Sequence, residues 1–425
     1  MKKQKVRVLA IVIGVFVAAI TATGILVSCD QSPIFSDISE MRPLVPPKIP
    51  GGPSKMVEFT WNSTPGYFVA SGGLFWFYDT DGDGNSEWGG GLPPVPGRVT
   101  DVAATTNNLY ITVMHGTNAE GTIYRLEPAG STQPWKPMSV PGYGVVNSLF
   151  ADGSTLYAGV RNSSRNAVFY IDDNAGTTLT EVNNGLGAEP GLLSGAVGGY
   201  ISTRNIGSNG PTSEDGNGIF SVNGNSATAV TYSGTNTSVD RRIMGMIKLP
   251  SGDVIAINRS GVLFDVTAGY KEIPGTWKDG NGNQTSSNLV AGRPSTGALA
   301  VWTGTVGGNN QAQMLIAGVQ GSVSSTTFNN GYVEFYLDPT STPNYAIDTG
   351  KPPNPNPNSA NGNVLVSVQG QDSQYRASLG RLPVNHFFQA PSPNDPNGRF
   401  FASTQVSGLW SFRERGGVLQ WNAED

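Results

Sequence analysis

The chain has 425 residues, only 13% of them charged, and a formal charge of −5. A single cysteine excludes an intrachain disulfide framework and a cysteine metal cluster. The acidic balance does not suit a nucleic-acid partner, which would be held by Lys and Arg against phosphates.

The chain begins MKKQKVR and continues LAIVIGVFVAAITATGILVSC. Lys2, Lys3, Lys5 and Arg7 form a positive segment ahead of an uncharged stretch from Val8 to Ser28. That layout fits an export signal, and the stretch is also long enough to span a bilayer. Leu26-Val27-Ser28-Cys29 separates the two readings, because it resembles the lipobox of bacterial lipoproteins and Cys29 is the only cysteine. The resemblance implies cleavage before Cys29, a diacylglycerol on its thiol and acylation of the new amino group. Residues 1–28 are then a signal peptide. Its removal takes away four positive charges and leaves a formal charge of −9. The mature protein is expected in the bacterial cell envelope, periplasmic or surface-exposed. Its partner there is the lipid membrane, reached through acylated Cys29 with no spanning helix.

Residues 29–54 carry Pro33, Pro43, Pro46, Pro47, Pro50 and Pro53 with Gly51 and Gly52. This composition predicts a semi-extended tether. The body, 55–425, is rich in Gly, Ser, Thr and Asn and has almost no helical periodicity. Short apolar runs bounded by Gly, Asn and Asp, such as TLYAGVRN and AVFYIDDNAG, predict strands and hairpins throughout.

Early in the body, residues 77–88 read FYDTDGDGNSEW. Asp79, Asp81, Asp83, Asn85 and Glu87 offer hard oxygen ligands of the kind calcium takes. A full EF-hand loop counted from Asp79 fails at its twelfth place, which is Gly90. The shorter pattern D-x-D-x-D-G-x-x-D/E, ending at Glu87, resembles the calcium hairpins of integrin-type propellers. The competing reading is a plain turn, since Asp, Asn and Gly are also turn residues. DGNGN at 279–283 is a weaker echo.

The rest of the body repeats itself. NNLYITVMHG, STLYAGVRNS, GGYISTRNIG, GDVIAINRSG, AQMLIAGVQGS and GRFFASTQVSG are each an apolar strand ending in a polar residue. A second strand follows each (GTIYRLEP, NAVFYIDD, GIFSVNG, GVLFDVT, GYVEFYLD, GLWSFRE), and a further apolar strand usually precedes the pair. One four-stranded sheet cannot bury both its faces, so such units stack around an axis. The pair LYAGV and AVFYID resembles the inner strands of Asp-box, two-component-regulator and YVTN-like propellers, although the Asp-box signature S-x-D-x-G-x-T-W is absent. The expected fold is therefore all-β: a single β-propeller of about seven four-stranded blades, with six or eight as alternatives. GYFVASGGLFWFYDTDGD supplies the first blade's strand pair, and MVEFTWN closes the ring against the C-terminal end. In 288–381 the runs ALAVWTG, MLIAGVQG and VLVSVQGQ compete for one strand slot, and KPPNPNPNSANGN at 351–363 is an insertion.

Catalytic constellations are scarce. His115 and His386 are the only histidines, and G-x-S-x-G, H-E-x-x-H and phosphate-loop motifs are absent. The polar strand ends are His115, Arg161, Arg204, Arg259, Gln320 and Gln405. In a propeller they come round to one face, where loops on a rigid scaffold bind ligands. Tyr157 falls on the same side of its strand as Arg161, and Arg241 and Arg242 are candidates for the same face. The reading is a non-enzymatic binding or protein-interaction module with an envelope protein or a glycan as partner. The alternatives are an envelope-assembly scaffold and a glycan-acting enzyme using Arg161, Arg204, Arg259 and Arg293. Polar residues that merely solvate strand ends are the competing account of the whole set.

Overall fold

The computed structural model describes residue 49 and residues 51–424 apart from several stretches, the longest being 206–217, 321–330 and 348–383. The export segment, Cys29 and most of the tether lie outside the described residues, as do Asn85, DGNGN at 279–283, the 351–363 insertion and VLVSVQGQ.

The described residues contain no helix. Their strands form seven four-stranded sheets and a two-stranded ribbon, Trp277–Lys278 with Gln284–Thr285. Each larger sheet is one contiguous antiparallel meander: residues 56–89, 98–138, 145–181, 192–229, 243–272, 293–347 and 384–423. They are numbered here as blades 1 to 7. The first strands of the blades are Met56–Trp61, Arg98–Ala104, Val145–Asp152, Leu192–Val197, Ile243–Lys248, Arg293–Val306 and Val384–Ser392. Each touches the next in this order, and the seventh touches the first. That closed circle of contacts is a β-propeller, with the first strand of every blade innermost.

The strand pair that resembles other propellers' inner strands is thus the second and third strand, and the run before it lies on the axis. Burial explains the misplacement. A second strand is covered on both faces by neighbouring blades, so it reads as an unbroken apolar run. Leu109–Val113 are all buried, as are Val254–Asn258. The innermost strands face the axis and carry more polar residues, which weakens their sequence signal. In blade 6, ALAVWTG falls in the innermost strand and MLIAGVQG in the second.

The core is divided between neighbouring blades. Tyr110, Ile123 and Ala103 of blade 2 pack with Leu149, Leu156, Val160 and Phe169 of blade 3. Tyr157 and Val168 of blade 3 pack with Leu193, Ile201 and Phe220 of blade 4. Each Val, Leu, Ile or Phe among them contributes about 1.5–3 kcal/mol by leaving water. Blade 1 meets blade 7 through Met56, Tyr67, Val69 and Phe77 against Ala390, Phe401 and Leu409. Ile49 is fully buried in that cluster, so the folded unit, which starts at Lys48, takes in the last residues of the Pro-rich stretch. Closure comes from packed faces and not from strand pairing, since Met56–Trp61 pairs only with Thr64–Ala70 of its own blade.

One irregularity recurs. In blades 2, 3, 4, 5 and 7 the innermost strand slips register against its neighbour near its start. The extra residues are Thr100, Asn147, Ser194, Met244 and Asn385. A bulge leaves one residue unpaired and sharpens the local twist. Four of the five, Thr100, Asn147, Ser194 and Asn385, are polar and line the axial cavity.

Candidate ligand face and acidic loop

Successive strands of a meander run in opposite directions, so all second strands end at the face of the ring where the innermost strands begin. His115, Arg161 and Arg204 are the last residues of Leu109–His115, Thr155–Arg161 and Tyr200–Arg204. Arg259 follows Val254–Asn258, Gln320 ends Asn309–Gln320, and Gln405 follows Asp395–Thr404. All six therefore sit at corresponding positions on one face.

Their surroundings differ. His115 is exposed, with Nε2 at 3.2 Å from the Tyr124 hydroxyl. Arg161 and Gln405 are exposed, and Arg204 and Arg259 are half-buried. Beside Gln405, Gly408 N donates to Gly51 O at 2.8 Å. Gly52 lies so close that a Cβ there would be 2.4 Å from the Gln405 carbonyl oxygen. The end of the tether is thereby fixed to blade 7.

Two sequence candidates, Tyr157 and Arg242, fall away. Tyr157 is buried between blades 3 and 4, where a one-sided alternation argument does not hold because both faces of the strand are covered. Arg242 is held by Asp240 through Nε at 2.8 Å and Nη2 at 2.6 Å, so its charge is neutralised. Arg241 lies over the Tyr232 ring, 6.0 Å from its centroid.

Arg204 is the most unusual of the set. Its Nε is buried with no hydrogen-bond partner among the described residues, and its Nη1 donates to Met244 Sδ at 3.8 Å. Burial, then the nearby charge of Arg259, holds its guanidinium below the usual arginine range. Arg125, by contrast, bonds Glu127 at 2.7 Å and Arg165 bonds Glu181 at 2.6 Å.

The same face leads into the axial channel, which the sequence reading did not identify as a site. A cavity of about 610 Å³ is lined by residues of all seven innermost strands or the turns leading into them. Its polar wall includes Lys55, Asp101, Asn147, Ser148, Ser194 and His386, and its apolar wall includes Ile247, Leu299 and Phe388. Asp101 accepts hydrogen bonds from Leu149 N at 2.8 Å and from Val102 N at 2.9 Å. Lys55 Nζ donates to Leu149 O and lies 4.1 Å from the centre of the Phe150 ring. The sequence signal was the run of polar residues in otherwise apolar strands, TD in VTDVAAT and NS in VVNSLFAD.

The acidic stretch joins the third and fourth strands of blade 1, Leu74–Tyr78 and Glu87–Gly89. By the same meander geometry it lies on the opposite face from the arginines. One carboxylate oxygen each from Asp79, Asp81 and Asp83 lie within 4.8 Å of one another. Asp79 Oδ1 accepts Gly82 N at 2.7 Å, and Glu87 Oε1 accepts the Thr80 hydroxyl. Among the described residues, these three carboxylates could hold a cation. The corresponding loop of blade 3 uses its acid differently, since Asp173 accepts the hydroxyls of Tyr110 and Thr105 and latches blade 3 to blade 2.

No protein-family model matches the chain, and no curated protein matches it. Solved structures with a related chain trace include YCF48 bound to D1 peptide, at 10% identity and a TM-score of 0.39, covering 88% of this chain and 96% of that one. The extracellular domain of the putative one component system BT4673 from B. thetaiotaomicron matches at 15% identity and 0.44, over 86% of this chain and 39% of that one. The Niastella koreensis GH74 enzyme matches at 14% identity and 0.40, over 85% of this chain and 43% of that one. The chain thus spans about two fifths of the length of the last two. The activities of those proteins stay with them.

Proposed function

We propose that the protein is a non-enzymatic binding module of the bacterial cell envelope, anchored by acylated Cys29. Its ligand face is the one on which the second strands end. The observation that carries this reading is the set His115, Arg161, Arg204, Arg259, Gln320 and Gln405 at corresponding strand ends. Within it, Arg161, Arg204 and Arg259 have no carboxylate partner among the described residues, while Arg125, Arg165 and Arg242 each have one. A face that only solvated strand ends would have no reason to hold a half-buried cation away from both water and a counter-charge.

The test is capture from solubilised envelopes and binding to a glycan array by the full-length protein, each repeated with Arg161→Ala/Arg204→Ala. Binding that disappears in the double variant supports the reading. Turnover of a glycoside panel would replace it with the enzyme alternative. On the opposite face, Asp79, Asp81 and Asp83 are proposed to hold a structural calcium ion, on the strength of their convergence within 4.8 Å.

A further inference from the structure

We infer that Arg204 and Arg259, at corresponding strand ends of adjacent blades, form a carboxylate-binding subsite on the ligand face. The inference rests on the ligand-face reading and names the chemistry that part of the face takes.

Four observations support it. Arg204 is half-buried, its Nε is fully enclosed, and no acceptor among the described residues reaches that atom. Its nearest soft contact is the thioether of Met244, the bulged residue of the next blade, which gives one side of the subsite an apolar wall. Arg259 brings a second cation of like sign close enough to disfavour the charge on Arg204. The nearby acid that would relieve the pair is already committed: Asp240 takes Arg242 in a two-pronged bond and also accepts Ser260 Oγ at 3.2 Å.

Two half-buried guanidinium groups at corresponding strand ends of adjacent blades are disfavoured until an anion neutralises them. The planar fork of a guanidinium matches the two oxygens of a carboxylate. A carboxylate suits this place better than a phosphate. It carries one negative charge, which is cheaper to desolvate against Met244, and the chain's overall negative charge opposes multiply charged ligands.

The experiment uses the full-length protein in detergent. Its melting temperature is followed with galacturonate or acetate, with glucose, and with phosphate or sulfate, at matched ionic strength. At ten times the dissociation constant, galacturonate is expected to raise the melting temperature by about 2 °C, with no rise from glucose. Arg204→Met is expected to abolish that shift and to raise the melting temperature of the unliganded protein, because it replaces an uncompensated cation with an apolar side chain. Arg259→Gln, at a more accessible position, is expected to weaken galacturonate binding at least tenfold and serves if Arg204→Met fails to fold. Equal shifts from phosphate and sulfate overturn the carboxylate assignment. An unchanged shift in Arg204→Met overturns the location. A shift that emerges only in Glu214→Gln/Asp215→Asn assigns the arginines to this chain's own acids and overturns the subsite. Partner or glycan capture is measured on the same samples. Capture without a carboxylate shift overturns the subsite and leaves the ligand face standing, whereas a shift without capture supports the subsite and removes the wider reading.

Discussion

Lys55 Nζ lies 3.2 Å from Asp101 Oδ2 in the wall of the axial channel, with side-chain exposures of only 13% and 11%. Lys55 immediately precedes the first strand of blade 1, Asp101 belongs to blade 2, and both reach Leu149 of blade 3. One ion pair therefore joins three blades where their innermost strands converge. Removing one partner from a buried pair leaves an uncompensated charge, which typically costs about 3–5 kcal/mol. Asp101→Ala is expected to destabilise at the upper end of that range, because it also strips acceptors from Leu149 N and Val102 N. Lys55→Met keeps the apolar stem against Phe150 and leaves Asp101 two amide donors, so about 1–2 kcal/mol is expected. Denaturant unfolding of the two single variants and the double variant checks this, and a coupling energy near zero would dissolve the pair as a structural unit.

A second tie closes the ring. Trp88 Nε1 donates to Glu424 Oε2 at 2.8 Å, joining the outermost strand of blade 1 to the residue that follows the outermost strand of blade 7. Glu424 is 2% exposed and also accepts Ser411 Oγ. Hydrogen bonds to a charged group are worth about 1.5–3 kcal/mol. Trp88→Phe keeps a ring against Phe77 and Phe401 but removes the donor, so a loss of about that size is expected. Because closure is made by packing and not by a shared strand, the variant is also expected to speed hydrogen exchange in blades 1 and 7 ahead of blades 3 and 4. Uniform acceleration around the ring would count against that account.

How much of this could be read in the sequence follows from burial. The second strands were legible because both faces are covered, which makes LYITV and VIAIN continuous apolar runs. Their polar ends, such as Arg161 and Arg204, were legible because the repeat places them at one register. The bulges at Thr100, Asn147, Ser194, Met244 and Asn385 were not, since a one-residue register slip leaves the order of residues unchanged and appears only against a partner strand. The channel set was missed for the same reason: Lys55, Asp101 and Leu149 are brought together by ring closure, not by spacing. Tyr157 was misread because alternation assigns faces only when one of them is exposed.

The acidic loop of blade 1 gives a direct test of metal binding. Three carboxylates within 4.8 Å repel one another, and calcium relieves that repulsion with oxygen ligands of the right hardness. Calcium at a hundred times its dissociation constant is expected to stabilise the fold by about 2.7 kcal/mol, with none of this effect from magnesium. Asp81→Ala is expected to remove the calcium-dependent rise in melting temperature and to leave the chelated protein no less stable, since one source of repulsion is gone. Equal melting temperatures in calcium and in chelator would make the stretch a turn. The subsite at Arg204 and Arg259 lies on the other face, so Arg204→Met is expected to leave the calcium response intact.

Alkaline stability is set by buried tyrosines. Tyr67 and Tyr157 are pushed up from 10.0 to about 12, in each case first by burial and then by a neighbouring carboxylate, Glu58 for Tyr67 and Asp152 for Tyr157. Tyr110 and Tyr270 are also raised, again chiefly by burial, and Tyr110 in addition by its bond to Asp173. In the unfolded chain these phenols lose their protons near pH 10, while in the native protein they keep them until about pH 12 or beyond. The native state therefore holds more protons across that window, and its stability falls as pH rises through it. The contribution is fully present below pH 10 and is on the order of 2 kcal/mol for each of Tyr67 and Tyr157. Unfolding measured from pH 8 to pH 12 is expected to show a steep loss of stability above pH 10, coincident with the appearance of tyrosinate absorbance. Tyr157→Phe removes one titrating group from the interface of blades 3 and 4 and is expected to flatten that loss. Tyrosinate absorbance rising near pH 10 in the still-folded protein would mean that these hydroxyls are open to solvent and that the blade interfaces are looser than their burial implies.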